Sequence, residues 1–91
     1  MSAEEGRAWG FFNDLSERPL DMALEFAKEL AKGPTLAHAM TKKMLHEEWH
    51  VPVDQAIDME AQAQAELMLT KDFHRAYEAF AAKRKPVFHG D

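Results

Sequence analysis

Asp72-Phe73-His74-Arg75-Ala76-Tyr77-Glu78-Ala79-Phe80-Ala81-Ala82-Lys83-Arg84-Lys85-Pro86-Val87-Phe88-His89-Gly90-Asp91 is the stretch on which the reading of this chain turns. Phe73, Ala76, Tyr77 and Phe80 recur three or four residues apart, which predicts one apolar face of a short helix. That helix runs into Lys83-Arg84-Lys85 and is stopped by Pro86, whose ring disfavours helix in the residue before it. The backbone dipole favours cations at a helix C-terminus. The cluster therefore has two readings. It caps and solubilises a helix end, or it holds the phosphates of a polyanionic small molecule, a task suited to the mobile lysine charge and the forked guanidinium.

The same helical period extends towards the N-terminus. Ser2-Ala3-Glu4-Glu5 has the form of a capping box, and Gly10 offers a stop, predicting a first helix over Ala3 to Trp9. Phe11 to Leu15 reads as irregular. Ser16 or Arg18-Pro19 opens a second helix with Leu20, Ala23, Leu24, Ala27, Leu30 and Ala31 on one stripe, and Gly33-Pro34 ends it. Leu36, Ala37, Met40, Met44 and Leu45 give a third helix its apolar face, and Pro52 requires that helix to end near Trp49. Asp54 to about Leu69 is a long fourth helix, and Thr70-Lys71-Asp72 breaks or caps it. No strand pattern appears. The expected fold class is all-α, with four to five short helices in a single unit over residues 1–91 and no interdomain linker.

Bulk properties narrow the function. Ninety-one residues make one small domain or a piece of a larger one, with a thin core unless partners contribute. A net charge of -5 argues against general nucleic-acid binding. The basic residues are local: five (Lys71, Arg75, Lys83, Arg84, Lys85) face three acidic ones from Lys71 onward, while six face thirteen in the rest. This suits a specific anionic contact. The absence of cysteine excludes disulfides, thiolate catalysis and cysteine-based metal sites, and fits a reducing cytoplasm. No apolar run reaches the roughly 20 residues of a membrane span, and no signal-peptide layout opens the chain.

Other motifs are weaker. His46-Glu47-Glu48-Trp49-His50 matches H-E-x-x-H, in which two histidines hold zinc and the glutamate acts as general base. Here Pro52 follows at once, Lys42 and Lys43 lie in the preceding turn, and no third ligand stands at a recognisable spacing, so a solvated helix end is the favoured reading and no metal is expected. Glu60 falls beside the apolar stripe of the fourth helix, which predicts a buried glutamate tied to a backbone amide or an arginine. Met40, Met44, Met59 and Met68 read as core or interface filler, and Trp9 and Trp49 as packing or interface anchors. No serine or cysteine stands at a suggestive spacing from His38, His74 or His89, and no glycine-rich phosphate loop is present.

Taken in order, several segments resemble the crotonase superfamily, the enoyl-CoA hydratases and isomerases. Glu5-Gly6-Arg7-Ala8-Trp9-Gly10-Phe11-Phe12-Asn13 looks like its A-x-x-x-G-L-V-N segment, and Gly33-Pro34-Thr35-Leu36-Ala37-His38-Ala39-Met40-Thr41-Lys42 like its G-P-x-A-x-x-x-x-K helix. Glu60 with Gln64, then Asp72-Phe73, then Ala79-Phe80-Ala81-Ala82-Lys83-Arg84-Lys85-Pro86-Val87-Phe88-His89-Gly90 complete a match over nearly the whole chain. The resemblance implies the C-terminal helical region of an acyl-CoA hydratase (a lyase) or isomerase of fatty acid metabolism. Such a region packs in a homo-oligomer, a trimer or dimer of trimers, and closes over the CoA site.

It also implies that Lys83 meets the CoA phosphates, with Phe80 and Arg84 beside it, and that no cofactor beyond the acyl-CoA substrate is needed. Gln64 stands where some members carry an aromatic towards the adenine, and Arg75-Ala76 where Glu-Gly is common. The family's oxyanion hole and catalytic carboxylates belong to an N-terminal core that this chain lacks. The expectation is therefore a fragment, with an artificial start at Met1-Ser2-Ala3, inactive alone. The competing expectations are a free-standing helical interaction module without CoA affinity, and a small zinc hydrolase using His46, Glu47 and His50.

Overall fold

The computed structural model describes all residues 1–91 and contains no β-strand. Five α-helices follow one another: α1 (Ala3–Ala8), α2 (Pro19–Ala31), α3 (Thr35–Glu47), α4 (Val53–Met68) and α5 (Lys71–Ala81), with a single 3-10 turn, Glu48–His50, after α3. No helix is long and apolar enough to cross a membrane.

Local chemistry explains each start and stop. Ser2 and Glu5 form the capping box, with the Glu5 amide donating to Ser2 Oγ at 3.1 Å and the Ser2 amide to Glu5 Oε2 at 2.8 Å. Gly10 at φ 76° ends that helix in the left-handed region, where a residue without Cβ is unstrained. The chain then folds back so that the Phe12 ring covers Gly6, and a Cβ on Gly6 would stand 2.6 Å from that ring. Pro19 takes the first turn of α2, where its missing N–H is no loss. Thr70 caps α5, accepting from the Phe73 amide at 3.2 Å while its hydroxyl donates to the Leu67 carbonyl at 2.7 Å.

Packing is sparse. The radius of gyration is 17.1 Å, against about 12 Å for a compact chain of this length. The accessible surface is 7880 Å², about 2,500 Å² more than the roughly 5,400 Å² a compact monomer of this mass exposes. What core there is lies where α3, α4 and α5 meet, around Met44, Ala63 and Ala79.

Three expectations need correction. The α2 stripe forms a helix but buries nothing, leaving Leu20, Leu24 and Leu30 exposed, because the chain supplies no surface opposite it. Trp9 and Trp49, read as packing or interface anchors, are 73% and 80% exposed and so do not anchor packing within the chain, which leaves the interface reading. The apolar face assigned to α5 is turned outward at Tyr77 and Phe80, and the inward face is Asp72, Ala76 and Ala79. Small residues there let neighbouring backbone approach closely, which bulky aromatics would prevent. The methionines divide: Met44 is buried, Met40 and Met59 are half-buried, and Met68 is exposed.

Candidate functional site at the end of helix α5

The last turn of α5 passes into Lys83 through a paired set of main-chain bonds. The Arg84 amide donates to the Ala79 carbonyl at 2.7 Å and the Lys83 amide to the Phe80 carbonyl at 3.0 Å. These two bonds define the Schellman end of a helix, in which the residue between them must adopt the left-handed conformation and is usually glycine. Here it is Lys83, at φ 53°, the only non-glycine residue in the chain with a positive φ. A Cβ in that region costs about 1–2 kcal/mol. The lysine thus occupies a position where glycine would relieve strain.

Lys83, Arg84 and Lys85 are exposed, and none forms an ion pair, whereas Lys71 and Arg75 at the other end of the helix are both engaged. Phe80, one turn before Lys83, is 83% exposed. The three residues Phe80, Lys83 and Arg84 are therefore brought together at one helix end. The nearest carboxylate influence on the cluster is Glu29, which Lys32 chiefly, and Lys85 to a smaller degree, hold below the usual carboxylate range, Lys85 without forming an ion pair with it. An apolar cavity of about 170 Å³ lies towards the other end of α5, between Pro34, Leu36, Ala37, Leu67, Phe73 and Phe88. Phe80, Lys83 and Arg84 do not line it, so the cationic end offers an exposed surface contact.

A feature the sequence reading missed closes the other end of α5. Asp72 is only 4% exposed. Its carboxylate accepts the amides of His89 and Gly90 at 2.8 and 2.7 Å and the Arg75 guanidinium at 2.7 Å. The Asp72 amide donates to the Asp91 carbonyl at 2.8 Å, and Arg75 also pairs with the Asp91 carboxylate. Burial pushes the Asp72 carboxyl up, but the His89 amide, Arg75 and the Gly90 amide outweigh it and hold the group below the usual carboxylate range. Asp91 is likewise lowered, first by its bond to Arg75. Arg75 is raised, chiefly by Asp91 and then by Asp72. The signal in the sequence was an aspartate in the first turn of a helix, which reads as an ordinary dipole partner, and the tail amides that bury it lie seventeen residues away.

Glu60 is not the buried glutamate expected. It is exposed, bonds to no amide or arginine, and instead approaches Glu48 from α4. Glu48 is the half-buried member, with Oε1 removed from solvent and without a hydrogen-bond partner. A proton shared with Glu60, together with burial and repulsion, raises the Glu48 carboxyl above its ordinary range. The α-helix gives way to the 3-10 turn after Glu47, so His46 and His50 do not share a regular α-helical face, and no three metal-ligating side chains gather anywhere in the chain.

Comparison with known proteins agrees with this architecture. The sequence profile of the Enoyl-CoA hydratase/isomerase family matches residues 1–91. A Rhodobacter capsulatus protein named "Probable enoyl-CoA hydratase" is 39% identical over 64 residues, covering 70% of this chain and 25% of that protein. The 1,2-epoxyphenylacetyl-CoA isomerase of Escherichia coli is 29% identical, covering 99% of this chain and 35% of its own. A Mycobacterium abscessus protein solved as a "putative Enoyl-CoA hydratase/isomerase" superposes with a TM-score of 0.95 at 35% identity, over 100% of this chain and 36% of that structure. The chain spans about a quarter to a third of the length of these relatives. Its all-helical fold and a match along its whole length place it in the enoyl-CoA hydratase/isomerase family, within the crotonase superfamily.

Proposed function

We propose that this chain is the C-terminal helical part of an acyl-CoA hydratase or isomerase and supplies a cationic contact for the CoA phosphates through Lys83 and Arg84, flanked by Phe80. The observation that carries the reading is Lys83 itself: a lysine occupies the left-handed position of the helix end at an energetic cost, and its charge is unpaired. Strained residues of this kind concentrate at functional sites. The family relationship supports acyl-CoA as the ligand. The acyl-CoA chemistry is proposed for the whole protein, with this chain contributing to binding and not to the chemical step. Its other role is assembly, since about 2,500 Å² of excess surface is more than a standard protein–protein interface buries in total. Relatives of both reaction types match, so hydration and isomerisation stand equal here.

Calorimetric titration of the chain with CoA and with pantetheine, which lacks the phosphates, tests the reading. CoA should bind and pantetheine should not, and Lys83→Ala should weaken CoA roughly tenfold or more, the worth of a charge-assisted hydrogen bond. Equal behaviour of CoA and pantetheine would reject it. The exposed stripe of α2 favours a second reading, a helical interaction module that self-associates without CoA affinity. Concentration-dependent assembly with no CoA heat would select that alternative.

A further inference from the structure

We infer that Asp72 is a positioning residue for the Lys83–Arg84 cation pair, acting through a returning segment, residues 84–91, that ties the two ends of α5 together. The inference rests on the phosphate reading of Lys83 and deepens it.

From Asp72 to Ala82 the helix rises about 15 Å. The return from Arg84 to His89 can reach only about 17 Å when fully extended. The strap is therefore nearly taut. It is fixed at one end by the Arg84 amide on the Ala79 carbonyl and at the other by the His89 and Gly90 amides on the Asp72 carboxylate. Pro86 stiffens it by locking φ, and biases Lys85 towards extended backbone. Phe88 is half-buried and lines one cavity with Pro34, Leu36 and Phe73, so the middle of the strap is not free in solvent. Slack is small, and an anchor lost at Asp72 is felt at Arg84.

Lys83 is the residue most sensitive to that anchor. Its left-handed backbone is disfavoured, and it is held there by the bonds on either side of it. Once the strap is released, Lys83 spends most of its time elsewhere, and apparent affinity falls in proportion to the competent fraction. Asp72 never needs to touch the ligand. Arg75 and Asp91 complete the anchor, Arg75 bridging the two carboxylates.

The test is a CoA titration by calorimetry of the unaltered chain, Asp72→Asn, Lys83→Ala and the double variant. Asp72→Asn should weaken CoA about 5- to 30-fold, the factor by which the left-handed region is disfavoured for a residue with a Cβ. In the Lys83→Ala background the same change should add little beyond the Arg84 share. A purely structural role would weaken both backgrounds equally. Amide exchange should show His89 and Gly90 losing protection in Asp72→Asn. Full affinity in Asp72→Asn, or additive losses, would overturn the positioning role while leaving the phosphate reading intact. Full affinity in Lys83→Ala would overturn both. Should Asp72→Asn fail to fold, truncation after Phe88 removes the same anchor and leaves the Asp72–Arg75 pair. It should show the same weakening, and unchanged affinity there would overturn the inference.

Discussion

Replacing Lys83 separates stability from function. In Lys83→Ala the left-handed strain remains and the charge is lost. In Lys83→Gly both are lost. The cation's favourable interaction with the helix dipole, about 0.3–1 kcal/mol, disappears from both variants and cancels in their comparison. What is left is the relief of about 1–2 kcal/mol of backbone strain, less the roughly 0.4–1 kcal/mol by which glycine loosens the unfolded chain. Lys83→Gly should therefore be more stable than Lys83→Ala by about 1 kcal/mol. For a domain of this size that is a difference of about 4–8 °C in Tm, readable by circular dichroism at 222 nm. CoA affinity should be lost in both to the same extent. If the alanine variant is as stable as the glycine variant, Lys83 is not held in the left-handed region. If the glycine variant is the more stable and still binds CoA normally, the strain is real but serves some other purpose.

Further outcomes follow from the rest of the structure. Gly6→Ala should fail to give the ~1 kcal/mol that such a change usually adds within a helix, because the new Cβ meets the Phe12 ring, and the gain should return in a Phe12→Ala background, as paired melting curves would show. Thr70→Ala removes the cap of α5 and should destabilise by about 1 kcal/mol in urea titration. Acid acts in two directions. Asp72 and Asp91 have lowered pKa values when folded, so their contribution is complete above the ordinary carboxylate range near 3.8 and fades as pH falls below it, releasing the strap. Glu48 has a raised folded pKa, so its contribution is complete below about 4.5 and is lost as pH rises through the raised value. Glu48→Gln should accordingly raise stability at neutral pH and flatten its dependence above pH 4.5. Chelation with EDTA should leave the melting curve unchanged, whereas stoichiometric zinc would revive the H-E-x-x-H reading.

Helix existence was legible in the sequence because its signals are local: the Ser2–Glu5 box, Pro19 at a first turn, Gly10 and Gly33 at stops, Thr70 before α5. Boundaries shifted by only a residue or two, as where α4 opens at Val53 rather than Asp54. Facing was less legible. Periodicity says that α5 has an apolar side, but not that the chain lacks the surface to bury it, so Tyr77 and Phe80 stay exposed while Ala79 and Asp72 are the buried residues. Glu60 and Glu48 were confused for a similar reason: the 3-10 turn after α3 carries Glu48 inward, and no spacing rule reveals that. Lys83 was singled out from its charge and its family motif, while its left-handed backbone depends on the helix end being closed by Arg84. Asp72 was invisible because its partners are the main-chain amides of residues 89 and 90, and a main-chain donor leaves no mark in composition.

The most direct test of CoA binding at the end of α5 is a backbone-amide NMR titration of the chain with CoA. Saturable shifts clustered from Phe80 to Lys85, with smaller ones at His89 and Gly90, are the predicted result. A dispersed spectrum that does not change on adding CoA, or shifts confined to other helices, would contradict the assignment of Lys83 and Arg84 as phosphate contacts.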